Sequence, residues 1–259
     1  MCFRKLLCIF ICLLSSSFIL HISAQSFKKE FKVSEYDAKK KGYVERTMYV
    51  YITLDDGNLV SLSIEAPSHD PNVEECWYYL GGSYLCEYNN LIVSLKSARN
   101  KYKHWLEATK NSKPTNYAQE LIDDIQPFPP IYALFRLKND PKGVFLVSKG
   151  KEPCVRLAPY VSSDDRGNKI LFMGFDYLTG KRDKEMEGWI PSLWSMLLTS
   201  AAGADKEERT IRNIIYQFNS VAQVQTLIDA LDIKKEISQY NEKKKEEQKK
   251  NVTYDNLFK

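Results

Sequence analysis

One amphipathic stretch, LIVSLKSARNKYKHWLEATK (Leu91–Lys110), stands between two blocks of β-like sequence, and this arrangement constrains the fold more than any other feature. Leu91, Leu95, Ala98, Tyr102, Trp105 and Leu106 recur at i, i+4, i+7 spacing, which places apolar groups along one side of a helix. Lys96, Arg99, Lys103 and Lys110 occupy the other side. Such a helix is held by burying its stripe against neighbours rather than by intrinsic propensity. The flanking strands offer a sheet for that purpose, so the expectation is an α+β fold: antiparallel hairpins and a β meander, a central amphipathic helix, and C-terminal helices packed on the sheet. The helix start is open, because Leu91–Val93 can instead finish a strand, with Ser94 or Ser97 as N-cap.

In the first block, Phe27–Lys41 is rich in lysine and reads either as an edge strand or as a loosely held arm. Val44, Met48, Val50, Ile52 and Leu54 then alternate with Glu45, Thr47, Tyr49, Tyr51 and Thr53, the period-two pattern of a half-buried strand. Val60, Leu62, Ile64 and Ala66 form its partner. A two-residue turn would set Ile52 against Ser61, whereas a three-residue Asp56-Gly57-Asn58 loop sets Leu54 against Val60, Ile52 against Leu62 and Val50 against Ile64. The three-residue loop keeps one face apolar. By the same reasoning CWYYLGGSYLC folds as a hairpin around Leu80-Gly81-Gly82, with Cys76 across from Cys86 and a disulfide between them. Pairing of Cys154 with either, or three buried thiols, are the alternatives.

Tyr117–Asp124 reads as a short helical turn before the breaker Pro127-Phe128-Pro129-Pro130. The second block contains four strands, Ile131–Leu137, Val144–Ser148, Cys154–Ala158 and Ile170–Tyr177, separated by Asn/Asp/Gly-rich turns. Residues 178–212 interrupt the pattern, with Trp189, Leu193, Met196 and Leu197 at helical spacing. Ile214–Phe218 reads as a last strand. Asn219-Ser220 caps a helix whose face is Val224, Leu227, Ile228 and Leu231, and a phase slip at Asp232 predicts a kink or a separate helix. Asn241–Lys250, NEKKKEEQKK, has no apolar face and reads as a frayed, charged tail. The expected organisation is a leader over 1–24, one domain over 25–240 with the insert 178–212, and a tail over 241–259.

The leader consists of Arg4 and Lys5, the apolar core Leu6–Leu20 and the small-residue site Ile22-Ser23-Ala24, the pattern of a cleaved export signal. A retained membrane anchor is the alternative. Leu6–Leu20 is short for a span of about 20 residues, and no later stretch is apolar enough to cross a bilayer. Export predicts a periplasmic, cell-surface or extracellular location. Losing Arg4 and Lys5 from 37 basic residues leaves 35 against 33 acidic, or +2, so there is no electrostatic case for nucleic acid.

SLKSARNKYKHW, the later strands and IIYQFNSVAQVQTLIDAL, together with the Ser-Ala-Gln leader ending, resemble small secreted proteins of Bacteroidetes with no assigned activity. The resemblance implies export and an α+β fold. It carries no catalytic residues.

Cleavage leaves Cys76, Cys86 and Cys154, and the histidines His69 and His104, which restricts metal and imidazole chemistry to two rings. There is no GxSxG, HExxH, phosphate-binding loop or paired CxxC. No metal or cofactor is expected, and Ser68-His69-Asp70-Pro71 reads as a turn. Asp55-Asp56, Asp123-Asp124, Asp164-Asp165 and Glu185 with Glu187 are the candidate acid pairs for hydrolysis. The candidate ligand-binding residues are aromatic: Trp77, Tyr78 and Tyr79 on one hairpin, and Trp189 and Trp194 in the insert. Strand alternation prevents the first three from sharing one buried face. The leading expectation is an exported, non-catalytic protein that binds a protein, glycan or apolar ligand; the alternative is an exported hydrolase using paired carboxylates. A structural or assembly subunit is a third reading.

Overall fold

The computed structural model describes residues 25–55, 57–80, 84–112, 118–122, 124–147, 156–163, 166–183 and 208–257. The fold is α+β, built on one antiparallel sheet. Its strands are β1 (Gln25–Asp37), β2 (Gly42–Asp55), β3 (Asn58–Glu65), β4 (Val73–Leu80), β5 (Ala118–Leu121), β6 (Ile131–Leu137), β7 (Asp140–Val147), β8 (Ala158–Ser163), β9 (Lys169–Asp183) and β10 (Glu208–Phe218). The helices are α1 (Tyr84–Ala108), α2 (Val221–Leu231) and α3 (Lys234–Leu257). None of these is long and apolar enough to cross a membrane. The strand order is β1-β2-β3-β4-β6-β7-β9-β8-β5, and β10 lies on the other edge of β9. Along the first edge of β9, Lys169–Gly174 pairs with β8 and Gly180–Asp183 with β7.

Parity decides the β2–β3 register: Val50 faces Ile64 and Ile52 faces Leu62, as one apolar face requires. The odd residue is not in the loop, however. Leu54 faces Leu59 and Asp55 faces Asn58, so the extra residue is absorbed as a bulge at Val60. Gly57 takes the left-handed turn position, with φ 76°. The lysine-rich N-terminal segment is the edge strand β1.

The Cys76–Cys86 hairpin does not form. Cys76 pairs across to Phe135 on β6, Cys86 lies within α1, and Cys76 is a free, buried thiol, so the expected disulfide is absent. The reason is helical phase: Tyr88, seven residues before Leu95, extends the Leu91–Leu95–Ala98–Tyr102 stripe backwards, and all five residues are buried. Ala118–Leu121 is an edge strand on β8 rather than a helical turn. The outer parts of the expected insert are also strands, with Leu178 paired to Ile211 and Lys181 to Glu208. Ser220 caps α2 through Gln223 N–H, and α2 stops at Asp232 as the phase slip predicts. The charged segment Asn241–Lys250, expected as a frayed tail, is helical within α3, in keeping with the high helix propensity of Glu, Lys and Gln.

The sheet curls until β10 returns beside β1. Their Cα traces approach within 8 Å, closer than the roughly 10 Å of stacked sheets, yet no ladder joins them. α2 covers this seam: Thr226 Oγ1 accepts from the Lys32 amide at 2.9 Å, and Ser34 Oγ donates to Gln223 Oε1 at 2.9 Å in a buried contact. Inside the curl, Tyr216 of β10 lies 5.9 Å from the rings of both Phe31 on β1 and Tyr78 on β4. α1 is pinned at both ends. The Tyr88 hydroxyl donates to Leu231 O, and the Tyr102 hydroxyl to Lys169 O.

Where β9 pairs with β10, a Cβ on Gly174 (φ 153°) would stand 2.1 Å from Ile214 O. Only glycine allows that approach.

Candidate functional site

β4 distributes its side chains to two faces. Cys76, Tyr78 and Leu80 enter the main core; Tyr79 joins a second, smaller buried cluster with Leu134 and Val144, against which Trp77 and Tyr132 pack. That second cluster lies on the outer face of the sheet, as alternation requires. The paired register aligns outward residues of successive strands: Lys28 with Tyr51, Tyr51 with Ser63, Ser63 with Tyr79, and, one row along, Glu30 with Tyr49 and Glu65 with Trp77.

The result is an aromatic surface with acids and bases set into it. Tyr51 and Trp77 meet edge to face, with centroids 5.2 Å apart and planes at 72°. Tyr49 stands 6.4 Å from Tyr51 at 59°. Tyr51 is 36% exposed, enough ring surface to meet a ligand. The Lys28 ammonium lies 3.6 Å from the Tyr49 ring centroid and 5.6 Å from that of Tyr51, within cation–π range of both.

Glu65 is the central carboxylate of this surface. The β2–β3 ladder ends at Val50 and Ile64, and one strand residue further on the Tyr49 amide donates to Glu65 Oε2 at 3.1 Å. Burial raises the Glu65 carboxyl above its ordinary range; Arg46, the Tyr49 N–H and Lys28 pull it back, and Glu75 pushes the same way as burial. Glu75 pairs with Arg136 at 3.5 Å. The arrangement can accept hydrogen bonds, hold a cation against rings, and offer a carboxylate whose protonation burial favours.

Of the expected binding residues, Trp77 is on this surface and half-buried, Tyr79 shares the face but is buried, and Tyr78 is a core residue. Trp189 and Trp194 lie outside the described residues. Cys76 is buried, and burial pushes its thiol above its usual range, which disfavours the thiolate. Of the acid pairs, Asp55 is an exposed strand end and Asp124 an exposed partner of Lys101, while Asp56, Asp123, Asp164, Asp165, Glu185 and Glu187 lie outside the described residues. His69 lies in the irregular segment before the Pro71-Asn72 turn, 3.9 Å from Glu35, and His104 is exposed. Among the described residues no His, Cys, Asp and Glu group has the arrangement of a metal site.

The sequence reading did not single out Lys28, Tyr49, Tyr51, Glu65 and Glu75. Their signal was present: Tyr49 and Tyr51 occupy the solvent-side parity of β2, where polar residues are expected, and Glu65 follows directly on the apolar run of β3. The sequence matches no protein-family model, and no curated protein or solved structure is significantly similar to it.

Proposed function

We propose that the chain is an exported, non-catalytic binding protein whose outer sheet face, centred on Tyr51, Trp77 and Glu65, contacts its ligand. One observation carries the reading: an exposed tyrosine and a half-buried tryptophan meet at a corner beside a half-buried carboxylate, on the face of the sheet turned away from the main core. Aromatic rings with an apolar body and a polar edge are the residues most used at binding surfaces. The test compares the purified chain with a Tyr51→Ala/Trp77→Ala variant on immobilised glycans and peptides. A ligand retained by the parent and lost by about ten-fold or more in the variant, at unchanged melting temperature, supports the reading. Equal retention by both chains overturns it.

A hydrolytic reading rests on Glu65 and Glu75, which face the same way, the first with its carboxyl raised and the second charge-paired to Arg136. It requires turnover of chromogenic glycosides that both Glu65→Gln and Glu75→Gln abolish.

A further inference from the structure

We infer that the Tyr49–Tyr51 corner beside Glu65 receives an alkylammonium group of an external ligand, and that Lys28 occupies this receptor from within the chain. The inference rests on the binding face proposed above and names the chemistry it recognises. Among the described residues three cations lie over aromatic faces, Arg166 over Tyr36, Arg212 over Tyr177, and Lys28, and only Lys28 spans two rings. Its neighbours on β1 are anchored by oxygens. Lys29 bridges to Glu236 and donates to Asp232 O, and Lys32 bridges to Glu45 and donates to Thr47. Lys28 makes no such ion pair among the described residues, although Glu30 and Glu65 stand on the same face. Its ammonium lies over rings, with the Glu65 carboxylate close enough to act on it electrostatically.

The geometry also selects against the other common guest of aromatic surfaces. A sugar ring stacks on a flat, open aromatic face. Here the Tyr49 face is covered by the ammonium, and Tyr51 and Trp77 stand at 72° instead of forming a platform. A compact cation fits a corner of tilted rings with a carboxylate at its base, because the ring faces are the negative ends of their quadrupoles. Lys28 is exposed and sits on an edge strand, so its side chain can swing into solvent without disturbing the sheet. Self-occupancy lowers the apparent affinity for a free cation by the fraction of time the corner is closed.

Tetramethylammonium chloride is the probe, with tert-butanol as its uncharged counterpart, followed by amide and tyrosine-ring NMR shifts of the purified chain. Lys28→Ala is expected to bind tetramethylammonium about three- to six-fold more tightly than the parent, with shifts at Tyr49 and Tyr51, and to ignore tert-butanol. Adding Tyr51→Ala to Lys28→Ala removes the gain. Equal affinity of Lys28→Ala and parent, or equal response to tert-butanol, overturns the inference. If that happens while the Tyr51→Ala/Trp77→Ala variant still loses an array ligand, the cation assignment fails and the binding face stands; if the array ligand is also unaffected, both fail. Unchanged melting temperatures of the variants show that the fold is intact.

Discussion

Both faces of β4 carry aromatic rings and put them to opposite uses. Inward, Tyr78 packs on Tyr216, which in turn packs on Phe31, and the residues paired with Tyr78 on the neighbouring strands are Ile64 and Ala133. Outward, Trp77 packs on Tyr51, and the rings are interleaved with Lys28, Glu65, Glu75 and Arg136. Inside, the Tyr216 hydroxyl donates to Glu65 O at 2.8 Å, whereas the Tyr78 hydroxyl has no partner among the described residues. Outside, charge is matched to ring faces. Aromatic content alone therefore does not separate the two faces; the company of charged side chains does. Glu65 belongs to both environments, since its carbonyl holds the core tyrosine and its carboxylate the outer Tyr49 amide.

The largest test of this contrast is truncation. Tyr216→Ala empties the centre of the inner nest and should cost about 3–5 kcal/mol in urea unfolding, whereas Tyr51→Ala on the outer face should cost under about 1 kcal/mol. Comparable losses would remove the distinction between packing and presentation.

A smaller effect separates hydroxyls within the core. Tyr216→Phe deletes the bond to Glu65 O and should lose about 1 kcal/mol. Tyr78→Phe deletes a hydroxyl with no hydrogen-bond partner among the described residues, so stability should hold or rise. A loss at Tyr78 equal to that at Tyr216 would show that its hydroxyl is bonded.

The smallest effect concerns pH. The Glu65 carboxyl is raised in the fold, chiefly by burial, so the folded state binds its proton more tightly than the unfolded chain does. That contribution is complete below the ordinary carboxylate range and is lost as pH rises through the folded value. The stability of the parent relative to Glu65→Gln should therefore fall with rising pH, by under about 1 kcal/mol because the group is partly solvated. A difference that rises with pH would mean that Arg46 and Lys28 outweigh burial.

Capping and parity signals in the sequence were reliable, and turn signals and long-range pairings were not. The Ser220 cap and the break at Asp232 are local and were legible, as was the parity that pairs Val50 with Ile64. Parity counts residues without locating the extra one, so the bulge at Val60 passed for a loop residue. Gly81-Gly82 suggested a hairpin because a turn signal is local; the competing helical phase from Tyr88 is satisfied only when α1 meets the core, with the Tyr88 hydroxyl on Leu231 O. β5 owes its strand conformation to β8, which no window around Ala118 contains. The outer site was half legible. Trp77 was singled out, but its partners come from β1, β2 and β3, and only the register brings Lys28, Tyr51 and Glu65 into line.

The α2 cover over the β1–β10 seam has a consequence for the order of assembly. The Lys32 amide and its Thr226 acceptor are 194 residues apart, so β1 is made early and stays an open edge until the chain is nearly complete. Loop closure over such a span contributes to slow folding, and an unpaired edge is a template for wrong pairing in the meantime. Lys28, Lys29 and Lys32 spread positive charge along that strand from the moment it is synthesised. The same lysines that contact Tyr49, Glu236 and Thr47 in the fold are the residue type that disfavours pairing at an open edge.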